Sequence, residues 1–549
     1  MLKLLKNKQL LLLIFVVFIA ALLRFCQLGI NPPSLTWDEV AWGYNAYSLG
    51  IDGKDEFGRF LPFDYLESFG DFKPPMYAYL DVIPVKLFGL NEFATRFPSA
   101  LFGVLTVFLT YFLTKEIFWK AKAKDCLALA AAALLAISPW HIMLSRAAFE
   151  ANVATFFLIL GVYLFLRGVQ KNSWFLSLSA LSFVASMYTF NTSRVVAPLL
   201  VVMLAIGFLK KLLVYKKQTM AAIVVGLIFL LPVVPFLLSP QAALRFKEVN
   251  IFTDIDVVKM ANQEIANDGN AWWSKALHNR RLAYGVQYIK HYFDNLSFHF
   301  LFVKGDGNPK FSTQEVGQMY LWELPLFIAG ILFLIRKREG HWWIIPAWLL
   351  LAIIPAATAR ETPHALRIEA TLPTFQILVG YGIMQAYDLI IRSSNRKVFK
   401  SVVVTLFLLM VSFGTVYFWE NYSQHYAKEF AGEWQYGYKD AVLYSESVMD
   451  KYNGIYLTKE LGRPYIYVLF YGKYDPHLFR AQGEVDRDAF GFVAVKNFDK
   501  YRFDKDGFTR ENGKNVLRIV TPWNVPKEAS VKKTFYLPNG QAALVGYVD

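Results

Sequence analysis

Long apolar runs separated by short polar segments dominate the chain up to residue 420. Eleven runs are each roughly long enough to cross a bilayer as a helix, which takes about 20 residues. They lie near 9–28, 94–114, 126–144, 151–167, 174–190, 195–209, 219–238, 319–335, 342–358, 366–391 and 399–419. The pattern predicts an α-helical polytopic membrane protein, with a transmembrane domain over residues 1–420.

Every second connection between these runs is basic. The Lys and Arg clusters fall at 3–8, 115–124, 167–171, 210–217, 336–338 and 392–400. Because short cytoplasmic loops are enriched in Lys and Arg, we predict a multi-pass protein of the cell membrane with a cytoplasmic N-terminus. This orientation places the long loops 29–93 and 239–318 at the outer face.

The pattern changes to short β-rich runs in the C-terminal part of the chain. The runs GIYLT, YIYVLFY, GFVAV, VLRIV and ALVGYV predict strands, and Pro538-Asn539-Gly540 predicts a turn. A helical stretch follows Tyr438. We therefore predict a small extracytoplasmic α/β domain over 421–549. A structural cap or interaction module is favoured over a second active site, because no catalytic motif occurs there.

Composition supports the membrane class and narrows the chemistry. Hydrophobic residues make up 55% of the chain and charged residues only 18%, a balance that a soluble core of this size does not absorb. The net charge is +14, and the Lys and Arg residues cluster in the short loops. Membrane topology explains this placement better than nucleic-acid binding does. The two cysteines, Cys26 and Cys126, form neither a disulfide framework nor a metal-ligand pattern.

The strongest candidate for chemistry follows the first span, in TWDEVAWGYNAYSLG. Asp38 and Glu39 are adjacent there and flanked by Trp37 and Trp42. A carboxylate in a partly dry, aromatic setting suits a general base, because removal from water raises its pKa and makes it a stronger proton acceptor. The alternative is a solvated acid pair at a helix end with interfacial tryptophans, and the pair alone leaves both interpretations open.

Lys73 lies in the same outer loop, in ESFGDFKPPMYAYL. The two prolines that follow it predict an extended entry into a helix from Met76 to Leu87. A lysine at headgroup depth is able to bind a phosphate as a point charge, although many such lysines only contact lipid headgroups.

Charged residues also occur at the outer ends of later spans. Arg146 and Glu150 are four residues apart in SRAAFE, a spacing that predicts one shared helix face. They line a site or form a structural ion pair, because charges at bilayer depth are costly unless paired or facing a cavity. Arg194 is a weaker candidate of the same kind.

The link ATARETPHALRIEATLP carries a further dense polar cluster. A helix that starts near Pro363 would place His364 and Arg367 on one face, where both would bind a phosphate together with the helix N-terminus. The alternative is an interfacial cluster that holds lipid headgroups.

Together, the basic start, the single span, the TWDE segment, the downstream KPP and the SRAAFE and HALR elements resemble membrane glycosyltransferases of the GT-C fold. The resemblance is to the family 39 or protein O-mannosyltransferase-like group, which includes the aminoarabinose transferases. It covers about residues 9–420, and TWDE with KPP is its most specific part.

The resemblance implies inverting transfer of a hexosyl or pentosyl unit from a polyprenyl-phosphate carrier to a lipid, glycan or protein acceptor. By motif position, Asp38 would be the base and Glu39 would assist or orient it. Lys73 and the His364/Arg367 pair would hold the carrier phosphate, and Arg146 with Glu150 would shape the pocket. No cofactor follows from the motifs. Members of this fold differ in metal use, and the Asp38–Glu39 pair could bind a divalent ion through its oxygens, although two acids alone do not establish one.

Two other functions remain as alternatives. A transporter or flippase for a lipid-linked sugar would need charged residues in mid-span and paired repeats, whereas the ionisable residues cluster at the outer helix ends. An inactive scaffold would leave the acid pair and the HALR cluster unexplained. The expected partners are the donor, the acceptor and membrane lipids, and not nucleic acid.

Overall fold

The computed structural model describes residues 2–240, 242, 249–393, 397–487, 493–503 and 515–548. These fall into two compact units. One, here the helical unit, comprises Met1–Leu23, Phe102–Leu144 and Glu150–Phe418. The other, here the mixed unit, comprises Arg24–Leu101, Ser145–Phe149 and Trp419–Asp549. The predicted first outer loop and the predicted C-terminal domain therefore share one compact unit.

Helices of very different lengths, most of them apolar, build the helical unit. Those that run wholly or mostly through it are Leu2–Phe25, Glu92–Ile117, Lys124–Ile137, Pro139–Arg146, Glu150–Gln170, Phe175–Met187, Ser193–Gly207, Leu209–Val214, Lys216–Leu230, Val234–Leu237, Ile255–Asn267, Trp272–Leu277, Arg280–Asp294, Glu323–Lys337, Ile344–Ile353, Thr374–Ser393 and Lys397–Glu420.

Each of the eleven predicted apolar runs contains a helix, but the count of eleven spans is not confirmed. In the described chain, five helices are long and apolar enough to cross a membrane, or six if the pair Lys124–Ile137 and Pro139–Arg146, bent by 56°, forms one span. Other helices, such as Phe175–Met187 and Ser193–Gly207, are apolar but shorter. At about 1.5 Å per residue they fall short of a hydrocarbon core of about 30 Å.

Glycines allow the closest helix approach in the helical unit. A Cβ atom added at Gly330 would lie 2.0 Å from the carbonyl oxygen of Leu378, and one added at Gly382 would lie 1.9 Å from that of Leu326. The helices Glu323–Lys337 and Thr374–Ser393 therefore touch through their backbones, as small residues permit in membrane proteins.

The mixed unit combines helices with two sheets. Its helices include Trp37–Asp52, Met76–Phe88, Tyr438–Val448, Pro464–Tyr471 and Pro476–Gln482. A small antiparallel hairpin pairs β1 (Leu66–Ser68) with β2 (Asp71–Lys73).

A seven-stranded sheet lies in the C-terminal part, in the order β4-β5-β6-β3-β7-β9-β8. Its strands are β3 (Gly454–Leu457), β4 (Glu484–Arg487), β5 (Val493–Phe498), β6 (Tyr501–Arg502), β7 (Val516–Val520), β8 (Ser530–Tyr536) and β9 (Ala542–Val548). The central β3 runs parallel to β6 and β7, whereas the outer pairs are antiparallel.

Most of the predicted C-terminal elements are present, with one exception. GIYLT, VLRIV and ALVGYV form β3, β7 and β9, and the Pro538-Asn539-Gly540 turn joins β8 to β9. The predicted GFVAV strand begins at residues 491–492, outside the described residues, and continues as β5. The strand predicted for YIYVLFY is wrong, because Pro464–Tyr471 is a helix. A short run that is buried on all sides carries no period to separate helix from strand, and Pro464 favours a helix start.

This C-terminal helix packs directly on the helix that follows the first span. A Cβ added at Gly43 would lie 2.5 Å from Cε2 of Phe470, so only glycine permits the contact. The Tyr467 hydroxyl donates to the carbonyl of Leu35 at 2.9 Å, just before the Trp37–Asp52 helix. The C-terminal region therefore fixes the start of that helix.

A buried carboxyl group, Glu56, lies in the same unit. Its oxygens accept from Nδ2 of Asn45 at 3.3 Å and from the hydroxyl of Tyr465 at 3.4 Å. Burial raises the pKa of Glu56 to about 8. In the folded protein the neutral form is therefore favoured at neutral pH.

We predict that Glu56 makes the fold less stable as pH rises. Because its folded pKa lies above that of an ordinary glutamate, the unfolded chain releases its proton first, and stability falls from about pH 4.5 to pH 8. Because glutamine does not ionise, Glu56→Gln removes this pH-dependent loss of stability. Thermal unfolding in detergent is expected to show little difference between variant and parent at pH 5 and a higher Tm for the variant at pH 8. The exposed Glu528→Gln serves as control, and a Tm difference that does not change with pH would contradict the account.

Candidate functional site

Asp38 lies in the first turn of the Trp37–Asp52 helix. The Thr36 hydroxyl accepts from the amide of Glu39 at 3.4 Å, and the Glu39 carboxylate accepts from the amide of Thr36 at 2.9 Å. This reciprocal cap fixes where the helix begins. The Asp38 side chain is 48% exposed, whereas that of Glu39 is fully buried. The two adjacent acids therefore occupy opposite environments.

Lys73 forms an ion pair with Asp38. It is the last residue of β2, and its Nζ contacts Oδ1 of Asp38. The Lys73 side chain is only 8% exposed, and Nζ stands 5.3 Å from the centre of the Trp42 ring. The structure thus brings together two residues that the sequence placed in one loop, and it presents the carboxylate rather than the ammonium to solvent.

Glu39 is held by a buried ion pair with Arg96. Nε of Arg96 donates to Oε1 of Glu39 at 2.9 Å, and the amide of Ala148 donates to the same oxygen at 2.9 Å. The same arginine also donates to the carbonyls of Leu28 at 3.2 Å and Pro32 at 2.8 Å. Sequence reasoning missed Arg96, because one arginine at the edge of an apolar run also fits a snorkelling side chain.

Arg146 is buried among carbonyls and aromatic rings. It donates to the carbonyls of Asn31 at 2.8 Å and Arg24 at 3.2 Å, and to the hydroxyl of Tyr422 at 3.1 Å. Its guanidinium carbon also lies 5.3 Å from the centre of the Trp419 ring. These contacts tie the beginning of the 29–93 loop to the segment after residue 418.

The predicted helix face shared by Arg146 and Glu150 is wrong. One helix ends at Arg146, and the next begins at Glu150. The amide of Ala148 donates to Glu39 instead of joining a helical ladder, which accounts for the break. Arg146 belongs to the mixed unit and Glu150 to the helical unit.

Arg194 lies at the start of the Ser193–Gly207 helix in the helical unit. Its Nε donates to the carbonyl of Met187 at 3.3 Å, and its guanidinium carbon lies 5.4 Å from the centre of the Phe236 ring. A role for Arg194 in substrate binding stays a prediction.

The helix predicted from Pro363 is also wrong, so His364 and Arg367 do not share a helix face. The helix begins only at Thr374, because a residue before proline, here Leu372, is disfavoured in the helical region. The backbone amide of His364 donates to Oδ1 of Asn295 at 3.0 Å, and Nη1 of Arg367 donates to the carbonyl of Glu361 at 3.2 Å.

Sequence reasoning missed Asp306, which lies beside His364 and is buried. It accepts from the amides of Ala365 at 2.6 Å and Asn308 at 2.8 Å, and its Oδ2 is 4.0 Å from Nδ1 of His364. Burial raises the pKa of Asp306 to about 6. Both residues line a cavity of about 480 Å³. No motif surrounds Asp306, so the sequence carries no signal for it.

The charge state of His364 limits what it contributes. Burial, and then the nearby Arg367, hold the pKa of His364 well below its usual range. Its imidazole is therefore neutral at physiological pH and acts there as a hydrogen-bonding group rather than a cation. Of the predicted pair, only Arg367 carries the positive charge that a phosphate attracts.

The acid pair does not form a two-carboxylate metal site. The oxygens of Glu39 accept hydrogen bonds from Arg96, Ala148 and Thr36, and so they do not converge with those of Asp38. Across the described ranges, no group of three or more His, Cys, Asp or Glu residues could hold a metal ion.

Residues 72–236 match the sequence profile of a family described as dolichyl-phosphate-mannose-protein mannosyltransferase. The chain is 32% identical over 111 residues to a Bacillus subtilis (strain 168) protein named "Putative mannosyltransferase YycA", a stretch that covers 20% of this chain and 16% of that protein. A protein of Aquifex aeolicus (strain VF5), described only as uncharacterized, is 36% identical over 104 residues, covering 19% and 20% of the two chains. The chain thus spans a small part of the curated relatives it matches.

Solved structures match over nearly the whole chain. ArnT from Cupriavidus metallidurans in the apo state has a TM-score of 0.54 at 14% identity, covering 98% of each chain. The same protein bound to undecaprenyl phosphate gives 0.53 at 14% identity and covers 97% of each. The apo oligosaccharyltransferase of Archaeoglobus fulgidus gives 0.52 at 14% identity, covering 84% of this chain and 63% of that one. The predicted resemblance is confirmed, and the fold is that of GT-C membrane proteins.

We predict that Glu39 is more important for folding than Asp38. Glu39→Ala leaves the Arg96 guanidinium buried without its carboxylate, a loss of about 3–5 kcal/mol in unfolding free energy. Thermal unfolding and monodisperse yield in detergent measure the effect. Asp38→Ala, one residue away on the half-exposed side, is the matched control and is expected to unfold at a higher temperature than Glu39→Ala, because only Glu39 is fully buried. Equal Tm values for the two variants would contradict the anchoring role.

Proposed function

We propose that the protein is a membrane glycosyltransferase that moves a sugar from a polyprenyl-phosphate carrier to an acceptor hydroxyl at the outer face of the cell membrane, with inversion. One observation carries the proposal: the half-exposed Asp38 carboxylate is held against Lys73, while the neighbouring Glu39 is buried. The site therefore offers an accessible base beside a well-positioned cation.

The charges of this pair suit each side of the reaction. A donor phosphate that enters beside Lys73 competes with Asp38 for the ammonium, since both are anions. When Lys73 turns to the phosphate, Asp38 loses its partner and becomes a better proton acceptor. Binding of the donor therefore prepares the base.

The transfer step needs no group beyond these two side chains. The acceptor oxygen attacks the anomeric carbon from the face opposite the phosphate, while its proton passes to a carboxylate oxygen of Asp38. The bond between the anomeric carbon and the phosphate oxygen breaks, and the phosphate leaves with the electron pair. Lys73 stabilises the charge that develops there, so no general acid is required.

The buried neighbours position these groups. Glu39 and Arg96 hold the first turn of the helix that carries Asp38, and Arg146 fixes the outer loop at its beginning. Both arginines act through the backbone and through other side chains. Glu39 thus orients Asp38 without contacting substrate.

The comparisons support the donor class. The structure of ArnT bound to undecaprenyl phosphate shares this fold over nearly the whole chain, and the family profile is named for a dolichyl-phosphate mannose donor. Both names contain a polyprenyl phosphate, which carries mannose in the second. The contributions of Arg194, Glu150, His364 and Arg367 to substrate binding stay predictions.

We predict that Asp38→Asn abolishes transfer without unfolding the protein. The amide keeps the shape of the side chain but accepts no proton, so turnover is expected to fall by about 10²-fold or more. Sugar transfer from polyprenyl-phosphate donors in reconstituted membranes measures it. Asp64→Asn, an acid of the same loop paired with Arg59 at 2.9 Å, is the matched control. Unchanged turnover in Asp38→Asn, at equal folded amounts, would remove the base from this mechanism.

We predict a different kinetic signature for Lys73. Lys73→Gln removes a cation that binds the donor phosphate and binds it more strongly as charge develops in the transition state, so the KM for the donor rises and kcat falls. Lys73→Arg keeps the charge and is expected to retain part of the activity. Steady-state kinetics with the donor varied checks this. A Lys73→Gln enzyme with the parent KM for the donor would contradict a phosphate role.

A further inference from the structure

The β1–β2 hairpin, which ends at Lys73, has an aromatic residue at a turn position where small residues are favoured. Its two-residue loop is Phe69-Gly70, with φ values of 61° and 82°, between the paired residues Ser68 and Asp71. Such loops prefer Asn-Gly, because both positions need positive φ. A bulky residue in this region is uncommon, and such strained positions cluster at functional sites.

The Phe69 ring is a platform shared by two cations. Nζ of Lys73 lies 5.8 Å from its centre, and the guanidinium carbon of Arg463 lies 5.5 Å from it. The Tyr465 ring packs edge-on against it at 5.9 Å. Phe69 thereby joins the loop that carries Lys73 to a cation from the C-terminal region.

The segment that carries Arg463 is fixed beside Asp38. Gly462 has a φ of +133°, and a Cβ added to it would lie 2.4 Å from Cε3 of Trp37, the residue before Asp38. The helix that follows, Pro464–Tyr471, packs on the Trp37–Asp52 helix through Phe470 and Gly43. The position of Arg463 is therefore set by ring–glycine contacts on both sides, Trp37 against Gly462 and Phe470 against Gly43.

Arg463 also differs from two other arginines of the mixed unit, each of which is paired with a carboxylate. Arg480 is paired with Asp52 at 2.7 Å, and Arg487 with Glu67. Across the part of the chain that the structure describes, Arg463 forms no hydrogen bond or ion pair, and it remains partly exposed. A partly exposed guanidinium without a carboxylate partner is suited to an incoming anion.

We propose that Arg463 is a second cation of the Asp38 site and binds the phosphate group of the polyprenyl-phosphate donor. The inference rests on the proposed function. The Lys73 charge is balanced by Asp38, so without Arg463 the site has no net positive charge with which to attract a phosphate. Arginine adds a planar fork that donates to two phosphate oxygens at once. The C-terminal region then completes the donor site instead of only capping it.

Binding of undecaprenyl phosphate to the full-length chain in nanodiscs tests the proposal directly. Arg463→Gln is expected to weaken binding by about 10-fold or more, as loss of hydrogen bonds to a charged group does. Binding of undecaprenol, which lacks the phosphate, is expected to stay at the parent level. The affinity of Arg463→Lys for undecaprenyl phosphate should fall between those of the parent and of Arg463→Gln. The exposed Lys527→Gln is the matched charge control. Phe69→Leu, which keeps both cations but removes the platform, is expected to weaken undecaprenyl phosphate binding as well.

The outcomes separate this inference from the proposed function. Parent affinity in Arg463→Gln, with affinity lost in Lys73→Gln, overturns the role of Arg463 alone. Parent turnover in Asp38→Asn and Lys73→Gln overturns the proposed function. A deficit in Arg463→Gln that occurs only in nanodiscs with anionic phospholipid would assign Arg463 to membrane headgroups and overturn the proposal. Equal Tm values for parent and variant exclude a folding defect as the cause of weaker binding.

Discussion

The buried ion pair between Glu39 and Arg96 is the interaction on which the geometry of the candidate site depends. Both side chains are fully removed from solvent, a state that is costly unless every polar atom has a partner. Arg96 donates to the carboxylate and to loop carbonyls, while the same carboxylate accepts from the amides of Thr36 and Ala148. One ion pair thus holds three segments together: the 29–93 loop, the start of the Trp37–Asp52 helix and the turn after Arg146.

Adjacent positions on a helix point about 100° apart, which explains how two neighbouring acids take separate roles. Glu39 faces the interior and holds the helix start, whereas Asp38 faces outward and meets Lys73. The C-terminal region supports the same helix through Tyr467 and packs Gly462 against Trp37. A reactive side chain at a helix start that is anchored from two directions needs little movement before it reacts.

The sequence predicted the helical class and placed Lys73 in the same loop as Asp38, because these depend on local pattern. It did not predict the partners that depend on tertiary contacts. Arg96 lies 57 residues from Glu39, and no periodicity connects them. The helix expected at His364 fails because Leu372 precedes a proline, and YIYVLFY forms a helix because a fully buried run lacks a period. No sequence motif marks Arg463, since its proposed role depends on its position beside the Phe69 ring.

The most direct measurement is a cryo-EM structure of the full-length protein in nanodiscs with an unreactive polyprenyl-phosphate sugar analogue. The account predicts phosphate density within hydrogen-bonding distance of Lys73, with the Asp38–Lys73 contact opened. It also predicts that the Asp38 carboxylate faces the side of the anomeric carbon opposite the phosphate. An analogue bound elsewhere, with Lys73 still on Asp38, would contradict the account of Asp38 as the base of a sugar transfer.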